Sequence, residues 1–407
     1  MQFVFGIDVS CDSVTVAVAS DEHTLLREYK INSDKAGFSR LLKDLRSVNH
    51  PQIIYESTGV YSRRVRTFLI HQGYDFVELN PLQAKLDLTE NFRRKKTDRN
   101  DARDLACSQY IRNRLTTVQE KPVYLDLRDN ERFYQQLTRD DVRKEDQLER
   151  VIQVVFPGVQ RIYSDKHGQN LYETLQLFPN PDLVLKESLD SLTNKLQAGL
   201  SKRLGKKRCR DYAQRLINAA KAAYPAVDSS SCMLHQMQFY CQSLLEIEQE
   251  RDQIINQMVA EAKAAKLPEL EIYQSVPGIG LTTAICLTAE LGDLHRFSSP
   301  SKINAYIGID LVVYESGNYT GHRRITKHGN QYARKILFRT IDNILAATNT
   351  HPCHIADYYR RRKKESSKSP EKVTKKIHIA AMARLLRTIY HLVLHNQKYN
   401  YEIAISH

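Results

Sequence analysis

The chain has 407 residues, 42% of them hydrophobic, and carries 60 Lys and Arg against 47 Asp and Glu for a net charge of +13. That length exceeds what one hydrophobic core supports, so two or three domains are expected. No run of roughly 18 uncharged apolar residues occurs, which argues against a membrane span, while the basic excess favours a polyanionic partner, most simply nucleic acid.

The opening "MQFVFGIDVS" goes straight into a strand pattern without a basic n-region, so no secretory signal is expected. "VTVAVAS" and "TLLREYKI" continue it as a meander. "GFSRLLKDLRSV" is an amphipathic helix, and "QIIYEST" is a short strand ending on Glu56. "GVYSRRVRTFLIHQG" is helical up to Gly73, and "YDFVELNP" is a further strand. Residues 97 to 114 form a helix, with Thr97 as N-cap and an acidic first turn. These elements make an α/β domain over residues 1–120.

A helical middle follows over 121–266. Leu125 to Val155 is a long charged helix pattern that calls for a partner helix, and Leu234 to Lys266 is a second one with coiled-coil-like spacing. Between them, about 166–230 is a basic, weakly periodic helical insertion. Residues 267–407 form a mostly helical C-terminal domain. It contains "PGIG" at 277–280 between two helix patterns, a short β hairpin in "YESGNYTG", and a helix from Gly329 to Ala347. "KKESSKSPEKV" reads as a polar linker before a closing amphipathic helix. The fold class is thus α/β plus α.

Positive charge clusters in "RRKK" ending at Lys96, "KRLGKKRCR" from Lys202 to Arg210, and "RRRKK" ending at Lys364. The seven cysteines (Cys11, Cys107, Cys209, Cys232, Cys241, Cys286 and Cys353) are odd in number and show no CxxC spacing. That pattern fits reduced thiols in the cytoplasm and disfavours zinc.

Asp8 ends an apolar run. A lone buried carboxylate costs several kcal/mol unless a metal, a cation or a proton offsets it. Glu56 also ends an apolar strand, and Asp98 and Asp101 lie three apart in the first turn of a helix, so they face the same way. Four such acids make an oxygen-ligand site suited to Mg²⁺ and to phosphodiester chemistry. Asp12 and Asp104 are nearby acids. Each of the four taken alone is equally a loop or helix cap. The "PGIG" glycines Gly278 and Gly280 can point backbone amides at a phosphate, as in a helix-hairpin-helix, or simply form a helix-helix turn.

"GIDVS", "YESTGVY" and "KTDRNDARDLA", followed by "VPGIGLTTAICLTAELGDLHRFSSPSKINAYIGID" and "YESGNYTGHRRITKHGNQYARKIL", resemble in that order the DEDD transposases of the insertion-sequence-110 family, which is related to the Piv pilin-gene invertases. The resemblance covers roughly 1–155 and 235–350. The stretch at about 166–230 looks longer than the family usually carries there. The resemblance implies a RuvC-like, RNase H fold for the N-terminal domain, with Asp8, Glu56, Asp98 and Asp101 as the metal-binding set and Asp12 and Asp104 outside it. It also implies that Ser316 is a nucleophile forming a transient bond to DNA, with Tyr314 and Tyr319 as alternative hydroxyls. Arg323, Arg324 and Lys327 would hold backbone phosphate, as would Arg93, Arg94, Lys95 and Lys96. Partners implied are element and target DNA, a structured bridge RNA, and further copies of the chain as a dimer or tetramer, acting at the bacterial nucleoid. Two other readings stay open: a metal-dependent junction nuclease in which Ser316 is structural, and a non-enzymatic basic DNA-binding regulator.

Overall fold

The structure, a computed structural model, describes residues 2–20, 24–81, 84, 97–201, 204–312, 315–316, 319–320, 324–348, 350–366 and 370–406. The chain divides into two compact units, Met1–Gln119 and Glu120–His407.

In the first unit, β1 (Val4–Val9), β2 (Ser13–Ala19), β3 (Leu25–Asn32), β4 (Gln52–Glu56) and β5 (Val77–Leu79) form one mixed sheet in the order β3-β2-β1-β4-β5. The first three strands are antiparallel, and β4 and β5 run parallel to β1. This sheet is compatible with an RNase H-like fold. Alternation along β1 divides its side chains between two layers. Phe5, Ile7 and Val9 pack with Leu41 and Leu45 of α1 (Lys35–Arg46) and with Val65 and Leu69 of α2 (Ser62–His71). Val4 joins Ile54, Val77, Leu105 and Ala106 on the opposite face, under α3 (Asp98–Arg112). Helix α2 begins at Ser62, later than the sequence pattern suggests, because Gly59 sits in the left-handed region (φ 58°) and turns the chain out of β4 first.

In the second unit, α4 (Pro122–Val155) starts with proline at its first turn and runs 34 residues, about 50 Å. Short helices α5 (Gln169–Leu177), α6 (Pro181–Leu185), α7 (Leu189–Gly199) and α8 (Lys206–Ala222) lead to α9 (Cys232–Ala264). The partner that α4 calls for is α9. The two run antiparallel, joined by an ion pair between Arg251 and Asp141, and the chain entering α9 bonds back to the end of α4 through Ala226 N–H and the Val154 carbonyl (2.8 Å). The stretch read as a weakly periodic insertion is an ordered helical knob. Leu171, Leu175, Leu192, Leu196 and Leu216 close a core around Val155 and Phe156 at one end of the α4–α9 pair. Three of its four helices, α5, α6 and α7, are too short to show a sustained period in sequence.

The opposite end of that pair joins the C-terminal core, built from α10 (Glu269–Gln274), α11 (Leu281–Leu291), α12 (Pro300–Ile307), α13 (Gln331–Ala347), α14 (His354–Glu365) and α15 (Pro370–Leu394), with α16 (Tyr401–Ile405) last. The segment read as a polar linker is mostly helix. Helix α14 reaches Glu365 and α15 opens at Pro370, where a proline suits the first helical turn. Thr374–Leu394 is apolar enough by composition to cross a membrane, yet Ala381, Leu385, Leu386 and Ile389 are fully buried in the protein's own core.

Candidate active site

The four acids singled out from sequence lie in the first unit. Strand pairing puts Ile7 beside Tyr55 in the parallel β1–β4 ladder, so Asp8 and Glu56, the next residue on each strand, occupy neighbouring strand ends. Both are half-buried. Gly6 and Ile54 lie two residues back on β1 and β4. Ile54 packs on the α3 face, and a Cβ on Gly6 would point into α3, so Asp8 and Glu56 share the α3 face as well.

Helix α3 brings the other two. Thr97 caps it, its hydroxyl accepting from Asn100 N–H at 3.2 Å, and Asp98 and Asp101 fill the first turn, where the helix dipole favours negative charge. The helix runs antiparallel to β1. Tyr110, near its C-terminal end, donates to the Gln2 carbonyl (2.6 Å) at the start of β1. Ala102 and Ala106 lie directly over Gly6. The acidic first turn therefore reaches the edge where Asp8 sits, one residue before the end of β1.

Ion pairs tie α3 to β3. Thr15 pairs with Asp8 on one side and with Lys30 on the other, which puts Lys30 in the same cross-strand row and on the same face. Lys30 Nζ lies 3.4 Å from Asp98 Oδ2. Arg99 and Arg103, one helical turn apart, both clamp Glu28 of β3. On the other side of the strand ends, Arg64 of α2 donates to the carbonyls of Cys11 and Ser33 (3.2 Å to the latter), fixing the turns that follow β1 and β3. Asp104 lies one turn further along α3, and Asp12 in the β1–β2 turn. Sequence reasoning missed Gly6, Lys30, Arg99, Arg103 and Glu28. Only Gly6 carried a signal, because a glycine inside an apolar strand marks a close backbone approach.

Among the described residues, no three His, Cys, Asp or Glu side chains lie close enough to hold a metal ion. The structure brings the four acids to one edge of one sheet face without closing them into a ligand shell. As a donor set they offer only half-buried or exposed carboxylate oxygens, the chemistry that hard divalent cations take.

The C-terminal sequence candidates lie in the second unit. A β ribbon leaves the core after α12. β6 (Leu311–Val312) pairs with β9 (Arg324–Ile325), and β7 (Glu315–Ser316) pairs with β8 (Tyr319–Thr320). Ser316 is the last residue of β7, directly across from Tyr319. The ribbon's base is bound to the core through backbone. Thr326 N–H donates to Asp310 O, Lys327 N–H to Gly308 O, and Asn330 N–H to Tyr306 O at 2.8 Å. Asn330 also caps α13 and donates to the Glu290 carbonyl. Arg324 and Lys327 are exposed. Tyr314, Arg323 and the run Arg93, Arg94, Lys95 and Lys96 lie outside the described residues.

The "PGIG" segment does join α10 to α11. Its two glycines differ. Gly278 has φ 88°, and a Cβ there would stand 2.6 Å from the backbone of Ile344, so this position is a packing contact with α13. Gly280 precedes the first turn of α11 with open space around it and no side-chain cap.

Below the ribbon base, Glu131 of α4 and Glu290 of α11 are both fully buried. Burial pushes the Glu131 carboxyl up to about 8, and the neighbouring Glu290 carboxylate adds to the rise. Arg132 donates to Glu290 at 3.2 Å.

Comparison with known proteins matches both parts of the chain. Residues 5–157 match the DEDD transposase model of the IS110 group, and residues 270–360 match the model described as transposase, IS116/IS110/IS902 family. The transposase for insertion sequence element IS1111A of Coxiella burnetii is 37% identical over 89 residues, 21% of this chain and 24% of that protein. The insertion element IS116 uncharacterized 44.8 kDa protein of Streptomyces clavuligerus is 22% identical over 360 residues, 86% of this chain and 85% of that protein. With a DEDD model over the sheet unit and a second model of the same family over the ribbon and its supporting helices, the chain belongs to the IS110 family of insertion-element transposases.

Proposed function

We propose that this transposase cuts and rejoins DNA through a transient serine–DNA bond at a Mg²⁺-dependent site, guided by a bridge RNA and working as a homo-oligomer. The observation that carries the reading is the placement of Asp8, Glu56, Asp98 and Asp101 on one edge of one sheet face. Bound Mg²⁺ would neutralise charge on the phosphate and sharpen a hydroxyl nucleophile.

The chain's own residues do the rest. The β1–β4 ladder holds the backbone at Asp8 and Glu56, and the seating of α3 holds it at Asp98 and Asp101, so backbone contacts set the edge that the four carboxylates share. The Ser316 hydroxyl attacks a DNA phosphorus. The P–O bond to the departing strand breaks, its oxygen takes up a proton as a hydroxyl, and a phosphoserine ester forms. Attack by a hydroxyl of the exchanged strand reverses these bonds and releases Ser316 with its proton. The number of phosphodiester bonds is unchanged, so no external energy source is needed. Arg324 and Lys327, exposed at the ribbon base, suit contacts to backbone phosphate, as do Arg323 and the run Arg93 to Lys96. Base pairing by a guide RNA would leave the protein mainly backbone contacts, which suits a charge of +13.

The test is a denaturing gel with end-labelled element DNA and Mg²⁺. Wild-type protein should carry label covalently, Ser316→Ala should bind DNA without an adduct, and Tyr314→Phe and Tyr319→Phe should still form one. Cleavage with no adduct in any variant would instead favour a junction nuclease that uses water. Mixing Ser316→Ala with Asp8→Asn protein reads whether serine and carboxylates must come from the same chain.

A further inference from the structure

In the second unit, α13 and α15 border a groove of about 1440 Å³ together with β6, β9 and the end of α14. Its lining is charged on one sign. Helix α13 contributes Arg334, Lys335 and Arg339, helix α15 contributes Lys375 and Lys376, Arg362 comes from α14, and Arg324 from β9. Among the described residues of the lining Asp310 is the one acid, and the Thr326 hydroxyl already donates to it.

The cations alternate with apolar residues at helical spacing. On α13, Phe338 follows Arg334 by four and sits beside Arg339. On α15, Ile379 and Ala383 continue the row begun by Lys375. Leu311 is 57% exposed at the groove, and Ile325 lies next to Arg324. The positive groups also crowd one another. Burial holds Lys335 below the usual lysine range, and the charges of Arg339 and Arg139 push it further down.

A duplex turns its bases inward and offers an apolar floor nothing. A single strand can place phosphates on the cations and bases on the floor at once. We infer that this groove is a binding site for a single nucleic-acid strand, held through its phosphodiester backbone on α13 and α15 with bases against Leu311, Phe338 and Ile379. The inference rests on the nucleic-acid reading above and adds the facing surfaces of α13 and α15 to the base of the ribbon that carries Ser316.

The experiment uses the full chain in EDTA, so that binding is read without cleavage, with fluorescein-labelled oligothymidylate, oligouridylate and a mixed-sequence duplex of equal length as probes. The triple variant Arg339→Gln, Lys375→Gln, Lys376→Gln should melt like wild type. It should bind the strands about tenfold or more weaker, with a salt slope shallower by about 2, since each phosphate contact on a single strand contributes about 0.7. Leu311→Ser should weaken strand binding about fivefold with the slope unchanged, because it removes apolar contact and no charge. Loss on either strand supports the groove, and the larger loss names DNA or RNA as the source. Loss on neither strand, or an equal loss on the duplex, overturns it. If wild-type protein binds no probe at all, the nucleic-acid reading falls too. If wild type binds and the triple variant matches it, only the groove falls.

Discussion

Gly6 of β1 lies against the backbone of Ala102 in α3: a Cβ on Gly6 would stand 2.1 Å from the Ala102 carbonyl oxygen and 2.6 Å from the Ala106 nitrogen. Asp101 directly precedes Ala102, and Asp8 is two residues beyond Gly6, so this single contact sets how the acidic helix turn meets the strand end. Gly6→Ala must therefore lift α3 from the sheet. Overpacking of this kind costs about 1–3 kcal/mol. The expected outcome is a lower melting temperature and a loss of strand cleavage of about a hundredfold, the scale of a small misplacement of catalytic groups. Gly205→Ala is the control, because nothing lies within 4 Å of a Cβ there. Full activity in Gly6→Ala protein would show that the α3–β1 distance does not set the site.

Asp8→Asn keeps the size of the side chain and removes its charge. Under the metal reading it abolishes cleavage while leaving folding and nucleic-acid binding near wild type. Asp104→Asn, one turn along α3 from Asp101, should be tolerated. Gel-based cleavage across a Mg²⁺ series separates the two. Comparable activity in both variants would remove Asp8 from the metal set.

Lys30 already places a positive charge 3.4 Å from Asp98, between side chains that are 57% and 52% exposed. Such a pair is worth at most about 1 kcal/mol. Lys30→Gln removes the cation that competes for Asp98, so the Mg²⁺ concentration giving half-maximal cleavage should fall by about twofold to fivefold. A rise in that concentration would mean that Lys30 orders Asp98 rather than competing for it.

The parts of this site legible in the sequence are those that local chemistry dictates. Asp8 and Glu56 stand out because a carboxylate ending an apolar strand contradicts its surroundings, and Asp98 and Asp101 because Thr97 announces a helix start. The supporting contacts were not legible. Lys30 and Glu28 sit on a strand whose side chains are mostly exposed, and their meaning depends on which helix crosses them, a long-range fact. The knob around Leu171 and Leu196 was obscure for another reason. Its first three helices, of 5 to 11 residues around Pro181, are too short for periodicity to accumulate. Lys375 and Lys376 fall in the closing helix that the sequence does show, but that α13 faces them across a groove is a long-range fact; the linker composition of "KKESSKSPEKV" hid only the first turn of that helix, which begins at Pro370.

If the protein works with an RNA encoded beside its gene, binding is dominated by phosphate contacts and must weaken steeply with salt. A log–log slope of several units is expected between low and physiological salt. RNase treatment should then abolish recombination, and adding the RNA back should restore it. Recombination that survives exhaustive RNase treatment would exclude the guide.

The buried pair beneath the ribbon predicts a pH dependence with a definite sign. Glu131 is fully buried, with Glu290, Gln135 and Arg132 around it, and burial raises its carboxyl from 4.5 to about 8. The folded protein then keeps this proton over a range in which the unfolded chain has lost it. A raised carboxyl contributes stability that is fully present below its unfolded value and is lost as pH rises towards the folded value. Between about pH 4.5 and about pH 8, Glu131 should therefore lower the stability of the second unit by up to about 1.4 kcal/mol per pH unit. Glu131→Gln keeps the shape and removes the titration. At roughly pH 5 it should melt close to wild type, and at roughly pH 9 above it. Thermal unfolding followed by circular dichroism across that range provides the check. Because the Glu290 side chain also accepts from Arg132 and from the Asn330 amide, a Glu290→Gln variant should behave differently, losing stability at every pH through its weakened side-chain contacts. Parallel pH profiles for wild type and Glu131→Gln would show that Glu131 is ionised in the folded protein, and that Arg132 balances both acids.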